Sequence, residues 1–241
     1  EMRGALTIYR RELVGMFFGP LAWSLLCVAL GLSGWLFMAV VKQSGGDVTA
    51  SLRYTLGAST ALLFVPPLLT MRMISEEDRS GMLEFLLTAP VSDASVVCGK
   101  FLAALSFMTL FWSSKLVYAV VIASLGVAPD WAPLLGGFLG AVFVSALFCA
   151  LGLVASAAFS TPMLAAFMAF VANVVVLFLP VLAGLSESER LAELVGFLSV
   201  SAHFELFLRG VVDTSAIVFF VAWTAVALFV AVRLVEARRW R

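Results

Sequence analysis

The stretch from Trp131 to Ser186 reads WAPLLGGFLGAVFVSALFCALGLVASAAFSTPMLAAFMAFVANVVVLFLPVLAGLS and contains no Asp, Glu, Lys or Arg. In a bilayer each backbone N–H and C=O must be paired within its own segment, so such a run is crossed by helices of about 20 residues. It is too long for one helix and suits two. Ser160, Thr161 and Pro162 supply the break, because hydroxyls turn the chain locally and proline fits the first turn of a new helix. The two spans are expected over 133–159 and 162–185.

The flanking sequence extends the reading. Of 241 residues, 63% are hydrophobic and 12% charged, with a mean hydropathy of +1.09; soluble domains carry about 45–50% and 25%. Fifteen basic residues balance fifteen acidic ones, so disorder, collagen-like repeats and a nucleic-acid surface are excluded. Cys27, Cys98 and Cys149 lack C-x-x-C spacing and suggest neither a disulfide framework nor a zinc cluster. The apolar run from Leu13 to Val41 exceeds a signal-peptide core of about 7–15 residues, and it is expected to stay in the membrane. Pro20 divides it into a proximal segment, 5–19, and a span, 20–41. Further spans are expected over 54–74, with Pro66-Pro67 kinking the inner end, over 100–127, and over 214–233. Six spans return both termini to one side. Arg3, Arg10, Arg11, Arg72, Arg79, Lys100, Arg233, Arg238, Arg239 and Arg241 share that side, which the positive-inside rule makes cytoplasmic.

Three amphipathic stretches lie outside the spans. In the proximal one, Leu6, Ile8, Leu13, Val14, Phe17 and Phe18 oppose Arg3, Arg10, Arg11 and Glu12, the pattern of a helix lying in the inner interface beside anionic lipid. In the inner loop, the acidic cluster Glu76-Glu77-Asp78 precedes a short helical pattern over 80–87 that stops at Ala89-Pro90. Ser92 or Asp93 then caps the next helix. A short helix of this kind, apolar on one side and charged at its ends, fits a groove on a soluble partner. In the outer stretch, 187–212, Leu191, Leu194, Val195 and Leu198 keep helical spacing, and Phe204, Phe207, Leu208 and Val211 repeat it. These outer helices either cap a translocation path, re-enter the outer leaflet, dock a periplasmic partner, or lie on lipid as a linker.

Glu76-Glu77-Asp78-Arg79-Ser80-Gly81-Met82-Leu83-Glu84-Phe85-Leu86-Leu87-Thr88-Ala89-Pro90-Val91-Ser92-Asp93 resembles the inner-loop signature E-E-x-R-S-G-T-x-E-x-L-L-T-x-P-V-S-D of ABC-2 type permeases of the gliding-motility-associated branch. Gly99-Lys100-Phe101, Ser201-Ala202-His203-Phe204-Glu205, Arg209-Gly210-Val211-Val212-Asp213 and Glu236-Ala237-Arg238-Arg239-Trp240 extend the similarity over essentially the whole chain. Met82 replaces the usual Thr, and Lys115 stands where an apolar residue is usual. The resemblance implies an all-α membrane domain, 1–241, with six transmembrane helices, an N-terminal interfacial helix, a cytoplasmic coupling helix and short outer helices. It further implies pairing with a second copy or a related permease, and seating on two cytoplasmic ABC ATPase subunits that bind the ATP and Mg. The chain has no G-x-x-x-x-G-K-[ST] loop to hold phosphates, so no nucleotide cofactor and no enzyme activity of its own are expected. On this resemblance the helix 80–87 is the coupling helix; Glu76, Glu77, Arg79 and Glu84 supply polar contacts to the ATPase, Leu83, Leu86 and Leu87 the buried anchor, and Gly81 belongs to the same ATPase-coupling set. The setting implied is the bacterial inner membrane, with gliding motility or envelope biogenesis as the process served and an auxiliary envelope protein as a further partner.

Single polar residues complete the reading. Lys115 lies roughly 22 Å along a helix begun near Lys100, past the bilayer centre. It either lines a cavity and meets an anionic group or snorkels outward. Asn173 is the other intramembrane polar group, suited to interhelical hydrogen bonding or to the same cavity. His203, with Glu205 and Arg209, belongs to the outer segment, where one imidazole packs or caps and builds no metal site. Gly31-Leu32-Ser33-Gly34 spells G-x-S-G, but a catalytic serine needs a nearby base and His203 lies in an outer loop. Two other functions compete: a scaffold anchoring an envelope machine, which needs the same coupling helix, and a secondary transporter, which needs intramembrane carboxylates that the spans lack.

Overall fold

A computed structural model of the protein describes residues 2–43, 60–82, 92–124, 126, 128–184 and 195–238. The described residues are helical, without a strand: α1 (Met2–Phe18), α2 (Pro20–Gln43), α3 (Thr60–Thr70), α4 (Ser75–Arg79), α5 (Asp93–Ser124), α6 (Trp131–Ala158), α7 (Pro162–Gly184), α8 (Val200–Leu208) and α9 (Thr214–Arg238). Among the described residues, five helices are long and apolar enough to cross a membrane: Trp23–Gln43 within α2, all of α5 and α6, Pro162–Val181 within α7, and α9. The protein is an all-α membrane protein. The part of the 54–74 segment that is described holds α3, of 11 residues, with Pro66 and Pro67 inside it.

Local chemistry explains the ends. Proline opens α2 and α7, as its fixed φ and missing N–H allow at a first turn. Asp130 caps α6 by accepting from the Ala132 N–H at 3.2 Å. At the other end Phe159 is extended, and Ser160-Thr161 lead into Pro162. Ser92 caps α5, accepting from the Ser95 N–H at 3.3 Å. Two helices outrun their apolar spans: α5 begins at Asp93, seven residues before Lys100, and α9 continues to Arg238. In both cases the polar turns are paired with other elements, as described below.

The centre of the molecule is α6, which packs against α3, α4, α5, α7, α8 and α9. Helices in lipid gain nothing from leaving water, so close packing of small residues drives their association. On α6 a Cβ at Gly152 would lie 2.1 Å from Thr70 Oγ1, and one at Gly136 would lie 2.4 Å from the Phe207 carbonyl oxygen. Gly152 makes room for the Thr70 side chain of α3, and Gly136 lets the backbone at the end of α8 approach closely. Beside them Phe107, Phe111, Trp112, Phe148 and Leu153 are fully buried, and the Trp112 indole donates to Ser145 Oγ at 2.8 Å. By contrast α2 packs mainly on α1 and α5, and Val28, Leu32, Trp35 and Met38 are exposed for lipid or another chain to cover.

Candidate functional site

The described half of the inner loop begins where α3 stops. Thr70 Oγ1 donates to the Pro66 carbonyl at 2.8 Å, and the turn that follows is held by Ser156 of α6. Ser156 Oγ accepts from the N–H groups of Ile74 and Ser75, each at 3.1 Å, and donates to the Met71 carbonyl at 3.2 Å. One hydroxyl therefore satisfies two backbone N–H groups that the broken helix leaves open and shares the Met71 carbonyl with the Ser75 hydroxyl. The short α4 follows, and Gly81, at φ +73, ends it in the left-handed region that favours glycine.

Two of the three acidic residues of α4 are tied to distant elements. Glu77 pairs with Arg11 of α1 at 2.6 Å and with Lys100 of α5 at 2.9 Å. Glu12 of α1 closes the ring, pairing with Arg11 at 2.9 Å and with Lys100 at 2.8 Å. The Lys100 side chain is 1% exposed, so the charge is tolerable only because both carboxylates reach it. Burial pushes the Glu12 carboxyl up, yet the Lys100 ammonium and the Arg11 guanidinium outweigh it and hold the group below its usual range. The adjacent Asp78 pairs with Arg238, at the end of α9. That hydrogen bond outweighs partial burial and, with a further one from Ser160, keeps Asp78 below its ordinary value.

The ring depends on α1 lying across α5. A Cβ at Gly99 would meet the Ala5 carbonyl oxygen at 2.8 Å and the Ile8 Cβ at 3.1 Å, so only glycine admits this crossing. Tyr9 and Ser106 hydroxyls share a 3.1 Å hydrogen bond, and the Phe17 ring lies 5.9 Å from that of Phe107. At the elbow the Trp23 indole donates to the Phe17 carbonyl at 2.8 Å, satisfying one of the open carbonyls at the end of α1.

The residues singled out in the sequence divide accordingly. Glu77 is engaged within the chain, whereas Glu76, Arg79 and Gly81 are exposed. Leu83, Glu84, Leu86 and Leu87 lie outside the described residues. Lys115 is 5% exposed, with its ammonium 4.1 Å from the Trp112 ring centroid and 5.3 Å from that of Phe111, a cation held on aromatic faces. Asn173 is fully buried, and neither its oxygen nor its nitrogen has a hydrogen-bond partner among the described residues. On α8 the His203 ring stacks on Phe219 at 4.3 Å, and Nδ1 donates to the Ser199 carbonyl at 2.8 Å. Glu205 pairs with Arg209 one turn on. Glu12, Lys100 and Arg238 were not singled out as site residues. Their signal was faint: Glu12 is the one acid on a basic helix face, and Lys100 reads as the edge of a span.

A family model described as ABC-2 family transporter protein matches residues 59–238, most of the chain. No curated protein matches it.

Proposed function

The chain belongs to the ABC-2 family transporter proteins, and from that premise we propose that its inner loop couples ATP hydrolysis on a separate cytoplasmic ATPase to movement of the spans. One observation carries the proposal. The loop's first helix, α4, is bonded to four other pieces of the molecule: α1 and α5 through Glu77, α9 through Asp78, and α6 through Ser156. Force on the loop tip therefore reaches the interfacial helix and three spans together, as rigid elements pivot on short connections. Glu76, Arg79 and Met82 are exposed and outside these bonds; Arg79 and Met82 meet the ATPase, with Leu83, Glu84, Leu86 and Leu87 completing the contact. The ATPase works as a pair, set beneath two permease copies in the bacterial inner membrane, with the termini on the ATPase side. The output is export or mechanical work on an envelope machine, gliding motility being the process the inner-loop motif favours.

The test is co-purification from membranes. With Glu84→Arg and Leu86→Asp together, the ATPase is lost from the purified permease, while Val212→Asp on the outer side leaves it bound. Wild-type recovery of the ATPase with the double variant would refute the coupling assignment.

A further inference from the structure

A cavity of about 710 Å³ opens beneath the α1–α2 elbow, facing the end of α3 and the turn into α4. Its size is that of a ligand site, which runs from about 300 to 1,000 Å³. Gly15, Met16 and Pro20 form one wall, and Leu68, Leu69 and Met73 the other. A Cβ at Gly15 would meet nothing within 4 Å, so described side chains leave the space beside it open. Trp23 anchors the elbow, and indole rings favour the headgroup level of a bilayer. An apolar slot at that depth is solvated by acyl chain.

The mouth of the slot selects a headgroup. Four charged residues line it: Glu12, Glu77, Arg72 and Glu76. The first two are neutralised by Arg11 and Lys100. Arg72 and Glu76 are each 59% exposed and only loosely paired, with 3.9 Å between Nε and Oε2. The mouth thus offers one cation beside one anion, complementary to a phosphate followed by an ammonium. A headgroup with net negative charge would gain Arg72 and be opposed by Glu76. We infer that this groove is a binding site for a zwitterionic, amine-bearing phospholipid, whose phosphate meets Arg72, whose ammonium meets Glu76, and whose acyl chain lies between Met16 and Leu69. A lipid so placed would wedge the elbow against the turn that carries α4.

The test uses the purified full chain in vesicles, without any ATPase, so that it stands apart from the coupling assignment. Phosphatidylethanolamine and phosphatidylglycerol probes, each with a photoreactive acyl chain, are cross-linked and the adducts mapped by mass spectrometry. The amine probe is expected to label peptides bearing Met16 and Leu68 to Met73 at least about fivefold over the glycerol probe, the yield of one charge-assisted contact. Glu76→Arg inverts the preference. Gly15→Leu, which points a side chain into the open space, lowers labelling by both probes while leaving the gel-filtration profile unchanged. Equal labelling by the two headgroups, a preference unmoved by Glu76→Arg, or adducts confined to other faces would overturn the inference.

Discussion

Lys100 shows how much one side chain organises. It is fully buried with carboxylates from α1 and α4, and Arg11 supplies the second positive charge that balances them. Lys100→Met strands two carboxylates on one guanidinium, and breaking a buried pair from one side costs about 3–5 kcal/mol. Thermal unfolding in detergent should show that loss. Adding Glu12→Gln to it removes one charge of each sign and should restore more than half; no recovery would mean that the ring is not a unit. Asp78 makes a pH-dependent contribution. Its folded-state value lies below the ordinary 3.8, so its stabilisation is complete at neutral pH and is lost as acidification passes 3.8 toward the lower value. Wild type is therefore expected to melt above Asp78→Asn at pH 7, by about 1 kcal/mol of stability, with the gap narrowing as the pH falls below 3.8. A gap that persists there would dissociate the effect from the carboxylate.

Between elements, glycine decides which surfaces can meet. Gly99 admits α1 onto α5, whereas Gly31 on α2 faces open space. Gly99→Val must push α1 off α5, since the nearest atom is the Ala5 backbone oxygen at 2.8 Å and cannot swing aside. Trypsin cleavage after Arg10 and Arg11 should accelerate several-fold, while Gly31→Ala leaves the rate unchanged. Equal rates in the two variants would show that α1 is held otherwise. Gly136 has the same part where α8 ends against α6 and a Cβ would strike the Phe207 carbonyl. Lengthened helices follow a related rule. Charged turns at Asp93 to Lys100 and at Arg233 to Arg238 remain helical because Lys100 and Arg238 find partners on other elements.

At the scale of the molecule, the charge ring around Lys100 and the helix α8 sit at opposite ends of the α6 hub. The charge ring meets α6 through α4 and Ser156, and α8 meets it through Gly136 and Gly140. Single cysteines at Ser80 and at Val212, in a background without Cys27, Cys98 and Cys149, should therefore react with an impermeant maleimide from opposite sides of sealed vesicles. Labelling from one side would reject the topology. The exposed apolar faces of α2, α7 and α9, with Trp35, Phe167 and Phe229 outward, suit lipid or a second permease and would be unfavourable in water.

Composition and the charge-free run from Trp131 to Ser186 were enough to determine an all-helical membrane protein, because lipid leaves the backbone no other way to pair its polar groups. The Pro20 and Pro162 breaks were legible for the same local reason, since proline suits a helix start and little else in such a run. The inner-loop motif drew attention to this segment but did not say how its residues divide. Glu76 and Glu77 are neighbours of identical chemistry, and only folding turns one outward and closes the other onto Lys100. Pairings such as Glu12 with Lys100 and Asp78 with Arg238 join residues far apart in the chain. No periodicity records them; they exist because α1 crosses α5 and α9 reaches back to the loop, and that is a matter of three-dimensional packing.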